Sequence, residues 1–395
     1  MKYLIVEPHV KAIAPNIALM KWARWCDLNS HDYQYVRGIV TPDIYPDKIL
    51  MSCIFTYDSK VYQKTIKHYL KLYSDAELTV GGVFPSLYPE WFHNLGQILN
   101  KEIVIFKGIC EAIESLIPKY NINIKCEKYD PEYRRDKVVL YASRGCVNKC
   151  GYCAVPNLEG PMRSFKSIAP ILNAGWSELA SHEAVLYDNN FTEHDYFEDI
   201  VRELYHYRMK VDIHGLHVSS FTEDHARLLS MLDWAPQKKG GTAYIRFSFD
   251  KKGYRENIEK ALKLVRDFKI KAAFFCYMLF NNDDTPDDFW WRIEEAQKIV
   301  DKVRKSIHLF PQRFEPFHSL KRNDHVSSKW TKEMLVGLTR LYTETRGFIP
   351  ITQDRGIYRW IGNSKDEFFE NIEKAYRKEF KPFTLDLASI GILPV

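Results

Sequence analysis

Short apolar runs alternate with stretches of helical periodicity along most of the chain, and this alternation restricts the fold more than any other feature. In residues 1–126, runs at 3–6, 33–36, 48–54, 77–80 and 102–106 have strand length, and helical patterns at 17–28, 59–73 and 109–120 separate them. Parallel strands need long crossovers, and the crossover helices then cover both faces of the sheet. The expected fold class is therefore α/β, beginning with a doubly wound domain over residues 1–126. In such sheets ligands bind beyond the carboxyl ends of the strands, an edge formed here by 7–16, 55–59 and 81–86. Gly81 and Gly82, after the fourth strand, let another backbone or a flat ligand come close. A tight strand-to-helix turn explains them equally simply. The polar segment 127–136, with one Pro, reads as a linker.

A second feature is chemical. The apolar run 138–141 leads through Ser143, Arg144 and Gly145 to Cys146, Cys150 and Cys153, three cysteines within eight residues. Cysteines so close on one loop are poorly placed for a disulfide and well placed for a metal. A four-iron cubane would find three thiolates here and keep one iron open. Structural zinc wants four closed ligands, usually two Cys pairs, and the chain has no second pair. Cys26, Cys53, Cys110, Cys126 and Cys276 sit in apolar surroundings and are expected as free core thiols. A thiol-rich chain with such a motif belongs in a reducing cytoplasm. No apolar run approaches the roughly 20 residues of a membrane span, and the apolar run at the N-terminus is too short for a signal peptide. The net charge of +5 is spread along the chain and does not indicate nucleic acid.

Cys146-x3-Cys150-x2-Cys153, with aromatic Tyr152 before the last cysteine, resembles the signature of radical S-adenosylmethionine (SAM) enzymes. The resemblance implies a [4Fe-4S] cluster on the three cysteines and SAM on the open iron. It also implies an electron donor such as flavodoxin or ferredoxin, and a 5′-deoxyadenosyl radical that takes hydrogen from a substrate the sequence does not identify. The text before the motif is similar to the Rossmann-like, cobalamin-binding-type domain that precedes many radical SAM domains. The matching residues are IVEPH…PNIALMKWA at the start, Ser52-x-Ile54, and GGVFPSLYPE from Gly81. The Asp-x-His-x-x-Gly motif of those domains is absent; Glu7-x-His9-x-x-Ala12 stands nearest. With cobalamin the implied activity is methyl transfer to an unactivated carbon. Without it, the implied activity is a SAM-only rearrangement or modification. A zinc-binding interaction protein is the rival from another class.

From residue 137 the alternation resumes, with strands expected at 138–142, 184–188, 210–214, 243–249, 271–280 and 306–311. Helices are expected at 165–181, 194–208, 222–232, 254–268, 286–304 and 330–345. Six β/α units fit the partial (β/α)6 TIM barrel of radical SAM enzymes over 137–320, where chemistry sits at the C-terminal strand ends. At the second strand end, Asp188, Asn189 and Asn190 match in position the family's contacts to the SAM amino group. A capping turn is the structural alternative. In the fourth strand, alternation puts Ile245, Phe247 and Phe249 outward and Arg246, Ser248 and Asp250 inward. The resemblance assigns these three to the ribose and carboxylate of SAM; an internal Arg246–Asp250 pair is the alternative. Asp212, His214 and His217 are candidate lumen residues, and Tyr277 with Met278 could pack on adenine. Thr285 before Pro286 reads as a helix cap. Gln312, Arg313 and Glu315 at the sixth strand end are candidate substrate or SAM contacts, with a surface ion pair as the alternative. Residues 321–395 are expected as a C-terminal helical extension, in which 352–362 is followed by a charged helix at 365–378.

Overall fold

The computed structural model describes residues 1–344, 347–354 and 361–379. The chain forms two compact units, one of residues 1–187 with 316–322 and one of residues 188–315 with 323–395. It is a mixed α/β protein with parallel sheets. Among the described residues no helix is long and apolar enough to cross a membrane.

In the first unit, β1 (Lys2–Glu7), β2 (Asp32–Arg37), β3 (Lys48–Ser52), β4 (Glu77–Gly81), β5 (Ile103–Ile105) and β6 (Ile124–Cys126) build one sheet. Its order is β5-β4-β3-β1-β2-β6, and every neighbouring pair is parallel. The helices between them are α1 (Ile17–Leu28), α2 (Ser59–Leu72), α3 (Val83–Leu87), α4 (Pro89–Leu99) and the short α5 (Glu111–Glu114). Side chains of β1 alternate between two cores, as period 2 requires. Leu4 and Val6 join Tyr62, Ile66, Phe92 and Leu95 of α2 and α4. Tyr3 and Ile5 face the other way, among residues that include Leu19, Ala23 and Cys26 of α1. The helix expected at 109–120 is cut short. Pro118 supplies no N–H and disfavours helical backbone at the residue before it.

The expected linker is held against the sheet. Glu7, buried at the end of β1, meets Arg37 at 3.3 Å and accepts from the hydroxyls of Tyr35 at 2.5 Å and Tyr133 at 3.0 Å. Asp130 takes the far side of the Arg37 guanidinium at 3.3 Å, and Glu127 accepts from Ile39 N at 2.9 Å. A charged, fully buried Arg37 thus anchors a segment whose composition alone reads as open chain.

The rest of this unit carries β7 (Val138–Leu140), the pair β8 (Ser143–Arg144) and β9 (Arg163–Ser164), α6 (Val155–Leu158), α7 (Ala169–Leu179) and β10 (Glu183–Leu186). β7 and β10 run parallel, whereas β8 and β9 are antiparallel and close a loop between them.

The second unit contains α8 (Phe197–His206), β11 (Lys210–Ile213), α9 (Glu223–Leu229), β12 (Asp233–Trp234), β13 (Tyr244–Ser248) and α10 (Arg255–Asp267). It continues with β14 (Ala273–Phe280), α11 (Pro286–Val303), β15 (Ile307–Arg313), α12 (Lys332–Glu344), β16 (Ile349–Ile351) and α13 (Lys365–Tyr376). β11 pairs in parallel with β12, and β13, β14 and β15 are parallel in that order. β16 adds an antiparallel edge to β15. Neither β12 nor β16 is expected from the sequence pattern, because each is only two or three residues long. The cap at Thr285 forms as expected: its side chain accepts from Asp288 N at 3.1 Å, and the Asp288 carboxylate accepts from Thr285 N at 2.9 Å. The charged helix is present as α13, while residues 355–360 of the 352–362 segment and residues 380–395 lie outside the described residues.

His308 on β15 is expected to make this unit acid-sensitive. Its ring packs against Tyr244 and Phe348, with Nδ1 3.3 Å from the Tyr244 hydroxyl, and burial pushes its pKa down to about 4. The unfolded chain takes up this proton near pH 6.5. The stabilisation is complete above that pH and is lost as pH falls from about 6.5 towards 4. The expected loss is about 3 kcal/mol. Urea unfolding at pH 7 and pH 4.5 should show it, and His308→Phe should flatten the dependence. An unchanged pH dependence in the variant would rule out this histidine as its source.

Candidate active site: a cysteine loop and a row of polar strand ends

The cysteine loop begins where β8 ends. Gly145 has φ +77°, and a Cβ there would lie 2.2 Å from Pro161 O, so the turn into the loop requires glycine. Its N–H donates to Glu159 Oε2 at 2.8 Å, tying the start of the loop to the residue after α6. Cys153 N closes a turn on Cys150 O at 3.0 Å, and Asn148 N approaches Cys146 Sγ at 3.4 Å. All three cysteines are free and half-buried, and Tyr152 beside them is half-buried too. Burial raises the Cys153 thiol, and charge on Cys150 and Cys146 raises it further, so the three sulfurs are electrostatic neighbours.

Among the described residues, no three His, Cys, Asp or Glu side chains are grouped to hold one metal ion. A single zinc needs such convergence. An iron–sulfur cubane spreads its ligands more widely, because each of its irons takes its own thiolate. Three thiols within eight residues of one loop could each ligate a separate iron of one cluster.

The expected cobalamin surface has a different fit. The crevice of the first sheet lies where strand order reverses, between β1 and β3, as the switch-point rule requires. It holds a cavity of about 270 Å³, lined in part by Asn16, Ser52, Gly81, Gly82 and Ser86. Asn16 caps α1 by accepting from Leu19 N at 3.1 Å and donates to Ser52 Oγ at 3.0 Å, which bridges the crevice. Drug-sized ligands take pockets of about 300–1,000 Å³, and a corrinoid is larger than these. The cavity by itself is too small to enclose a whole corrinoid. Gly82 also has a plainer reason to be glycine: its φ is +102°, and a Cβ would stand 2.6 Å from Cys53 O. Gly81, the last residue of β4, faces only an ordinary contact with Phe106 at 3.7 Å. His9 sits beside Gly38 and is not part of the cavity lining.

In the second unit, the predicted strand-end residues separate into groups. Arg246 is buried and donates from Nη1 to Asp212 Oδ1, across from β13 to β11. His214 Nε2 lies 3.6 Å from the other Asp212 oxygen, an ion-pair separation beyond hydrogen-bond reach. Burial would raise the Asp212 carboxyl, but the His214 ring and the Arg246 charge outweigh it and hold it at about 2. Tyr277 on β14 lies within the field of the same pair. Asp188, Asn189 and Asn190 form a turn against Gly215, whose φ is +71° and whose Cβ would meet Asp188 O at 2.0 Å. Asn190 Oδ1 accepts from Thr192 Oγ1 at 2.9 Å, and Phe191 N donates to Gly215 O at 2.7 Å. The Asp188 turn therefore stands beside the Asp212–His214 end of β11.

Other candidates are engaged elsewhere. Asp250 Oδ1 accepts from Leu279 N at 2.7 Å, and Ser248 is half-buried at the end of β13. The alternative of an internal Arg246–Asp250 pair does not form. Arg313 donates to His325 O at 2.5 Å, and Glu315 accepts from Asn323 N at 2.6 Å, so both brace the chain after β15. Gln312 is exposed. His217 is half-buried, with Tyr254 Oη 3.4 Å from its Nε2.

Sequence reasoning missed Arg292. From α11 it donates to the carbonyls of Leu279 at 2.7 Å, Asp250 at 3.3 Å and Phe249 at 3.4 Å, and pairs with Asp284 at 2.7 Å. It holds the ends of β13 and β14 together from outside the strands. The available signal was an arginine three residues after Phe289 and one before Ile293, inside an apolar helical stripe.

No family model and no curated protein matches the chain. Solved structures of SuiB from Streptococcus suis are similar to it at low level. SuiB bound to the precursor peptide SuiA is 12% identical, covers 53% of this chain and 46% of that chain, and has a TM-score of 0.35. SuiB alone gives 12%, 53% and 47% with the same score. SuiB bound to S-adenosylmethionine gives 11%, 54% and 48% with a TM-score of 0.34. The chain thus spans about half the length of these matches, and a likeness at this level carries no functional argument.

Proposed function

We propose that this chain is a radical SAM enzyme. The observation that carries the reading is the cysteine loop: three half-buried thiols within eight residues, on a loop whose ends the β8–β9 pair joins. Cys146, Cys150 and Cys153 would hold the [4Fe-4S] cluster. Bound there, the cluster would supply the electron that splits SAM to methionine and a 5′-deoxyadenosyl radical, the electron coming from a donor such as a flavodoxin or ferredoxin. On the sequence resemblance, Tyr152, Asp188, Asn189, Asn190, Ser248, Asp250 and Tyr277 are the proposed SAM contacts. Arg246 acts through Asp212, whose charge it balances.

Anaerobic reconstitution with iron and sulfide, followed by dithionite and SAM, tests the reading. The expected product is 5′-deoxyadenosine, formed only by iron-loaded protein. Stoichiometric zinc without iron-dependent absorbance, or no deoxyadenosine above a protein-free control, would sink it.

A further inference from the structure

Helix α2 carries its lysines on one line. Lys60, Lys64, Lys67 and Lys71 follow one another at intervals of four, three and four residues. At 3.6 residues per turn they fall within an arc of about 60° and span about 16 Å of the helix axis. All four are exposed, and the opposite face, with Tyr62, Ile66 and Tyr69, is buried in the core of the first sheet. The helix contains no acidic residue, and none of the four lysines forms a hydrogen bond or an ion pair among the described residues. By contrast, Lys374 on α13 is matched one turn away by Glu370. The net charge of +5 conceals this local concentration, because it sums charges of both signs over the whole chain.

The start of the same helix presents aromatic rings. Tyr62, on the buried face, accepts from the backbone N–H groups of Ile54 and Phe55 at 3.1 Å each, which fixes the segment before the helix. Phe55 is 42% exposed, and its ring stacks on Tyr57 with centroids 5.1 Å apart and planes 9° from parallel. The Arg322 guanidinium lies 5.5 Å from the centre of the Tyr57 ring. Leu320, packed against the same core, seats Arg322 and the exposed Lys321 in this unit. Asp58 is half-buried at this end of the helix, within the field of the opposing Arg322 charge.

A row of unpaired cations suits a partner whose negative charges also come in a row. Exposed stacked rings suit flat bases, and bases are free to stack on a protein where the strand is single. An acidic protein would use the lysines but not the rings. A membrane surface would need an apolar helix face, and α2 has buried its own in the core. We propose that α2 and the Phe55–Tyr57 stack form a binding surface for single-stranded nucleic acid, the lysines meeting successive phosphates and Phe55 stacking on a base. The surface lies wholly within the first unit and requires neither iron nor SAM.

Fluorescence anisotropy of the full-length chain with a labelled oligothymidylate of about 16 nucleotides tests it. The logarithm of the association constant should fall against that of the salt concentration with a slope of about −3, the value for four neutralised phosphates on a single strand. Lys64→Gln/Lys67→Gln should bind roughly tenfold more weakly at low salt, with about half that slope. Phe55→Ala should also bind roughly tenfold more weakly but with the slope unchanged, because stacking carries no charge. Poly-glutamate should compete poorly at equal charge concentration. The substituted side chains are all exposed, and circular dichroism checks that each variant is folded. No binding at micromolar protein in low salt, wild-type affinity in the lysine variant or in Phe55→Ala, or competition by poly-glutamate as strong as by unlabelled oligothymidylate would each overturn the proposal. The last result would point to an acidic protein instead. Deoxyadenosine formation is measured separately, so failure here and failure of the radical SAM reading are distinguishable.

Discussion

Replacing Cys150 by alanine is expected to abolish iron retention and deoxyadenosine formation together, and Cys146→Ala and Cys153→Ala should do the same. The reconstituted wild-type chain should carry about four irons, one for each corner of a cubane, with three held by thiolates. Removing one thiolate leaves two ligands on a half-buried loop, and a cluster so held is expected to be lost on gel filtration. The control is Cys126→Ala. Cys126 is also free, but it lies at the end of β6, with its sulfur 3.7 Å from Ile124 O. That variant should keep its iron. The measurement is iron and sulfide per chain with the visible absorbance of the cluster. A loop variant that retains full iron content would remove that cysteine from the ligand set.

Asp212→Ala is expected to lower the stability of the second unit by about 3–5 kcal/mol, the usual cost of leaving one partner of a buried ion pair uncompensated. Both side chains are almost completely buried, at 4% exposure for Arg246 and 1% for Asp212. The double variant Asp212→Ala/Arg246→Met should recover a large part of the loss, because the orphaned charge is removed with its partner. Acid should act in the same direction. The folded carboxyl sits at about 2 and the model value is 3.8, so its contribution is complete above pH 3.8 and disappears as pH falls towards 2. That contribution is about 2 kcal/mol. Urea titrations of the single and double variants decide the matter. A loss below about 1 kcal/mol in the single variant, the range of exposed pairs, would mean that the pair is not buried in solution.

Much of the architecture could be read before any coordinate was known, and the particular strands show why. In β13, the alternation of Ile245, Phe247 and Phe249 with Arg246 and Ser248 is a property of extended backbone. The apolar set is buried accordingly, Phe247 stacking on Phe274 at 5.0 Å. The cysteine spacing is equally local. Three thiols separated by three and two residues cannot move far from one another, whatever the rest of the chain does.

What the amino-acid order determined by itself was therefore the short-range part: where strands and helices lie, which side chains share a face, and that three thiols occupy one loop. Tertiary structure alone decided who meets whom. Along one strand, residues four apart are about 13 Å from each other, because each residue adds about 3.3 Å. Asp250, two residues beyond β13, accepts from Leu279 N at 2.7 Å and does not pair with Arg246, although both were expected on one face. β11 and β13 belong to different sheets, and packing across the unit gives Arg246 a partner from 34 positions earlier, Asp212. The same holds for the crevice of the first sheet. Its location follows from strand order, but its size is set by Asn16 reaching Ser52 and by Arg144 and Glu159 arriving from a later segment. Local periodicity carries no information on such meetings, since they depend on how folded elements fill the space between them.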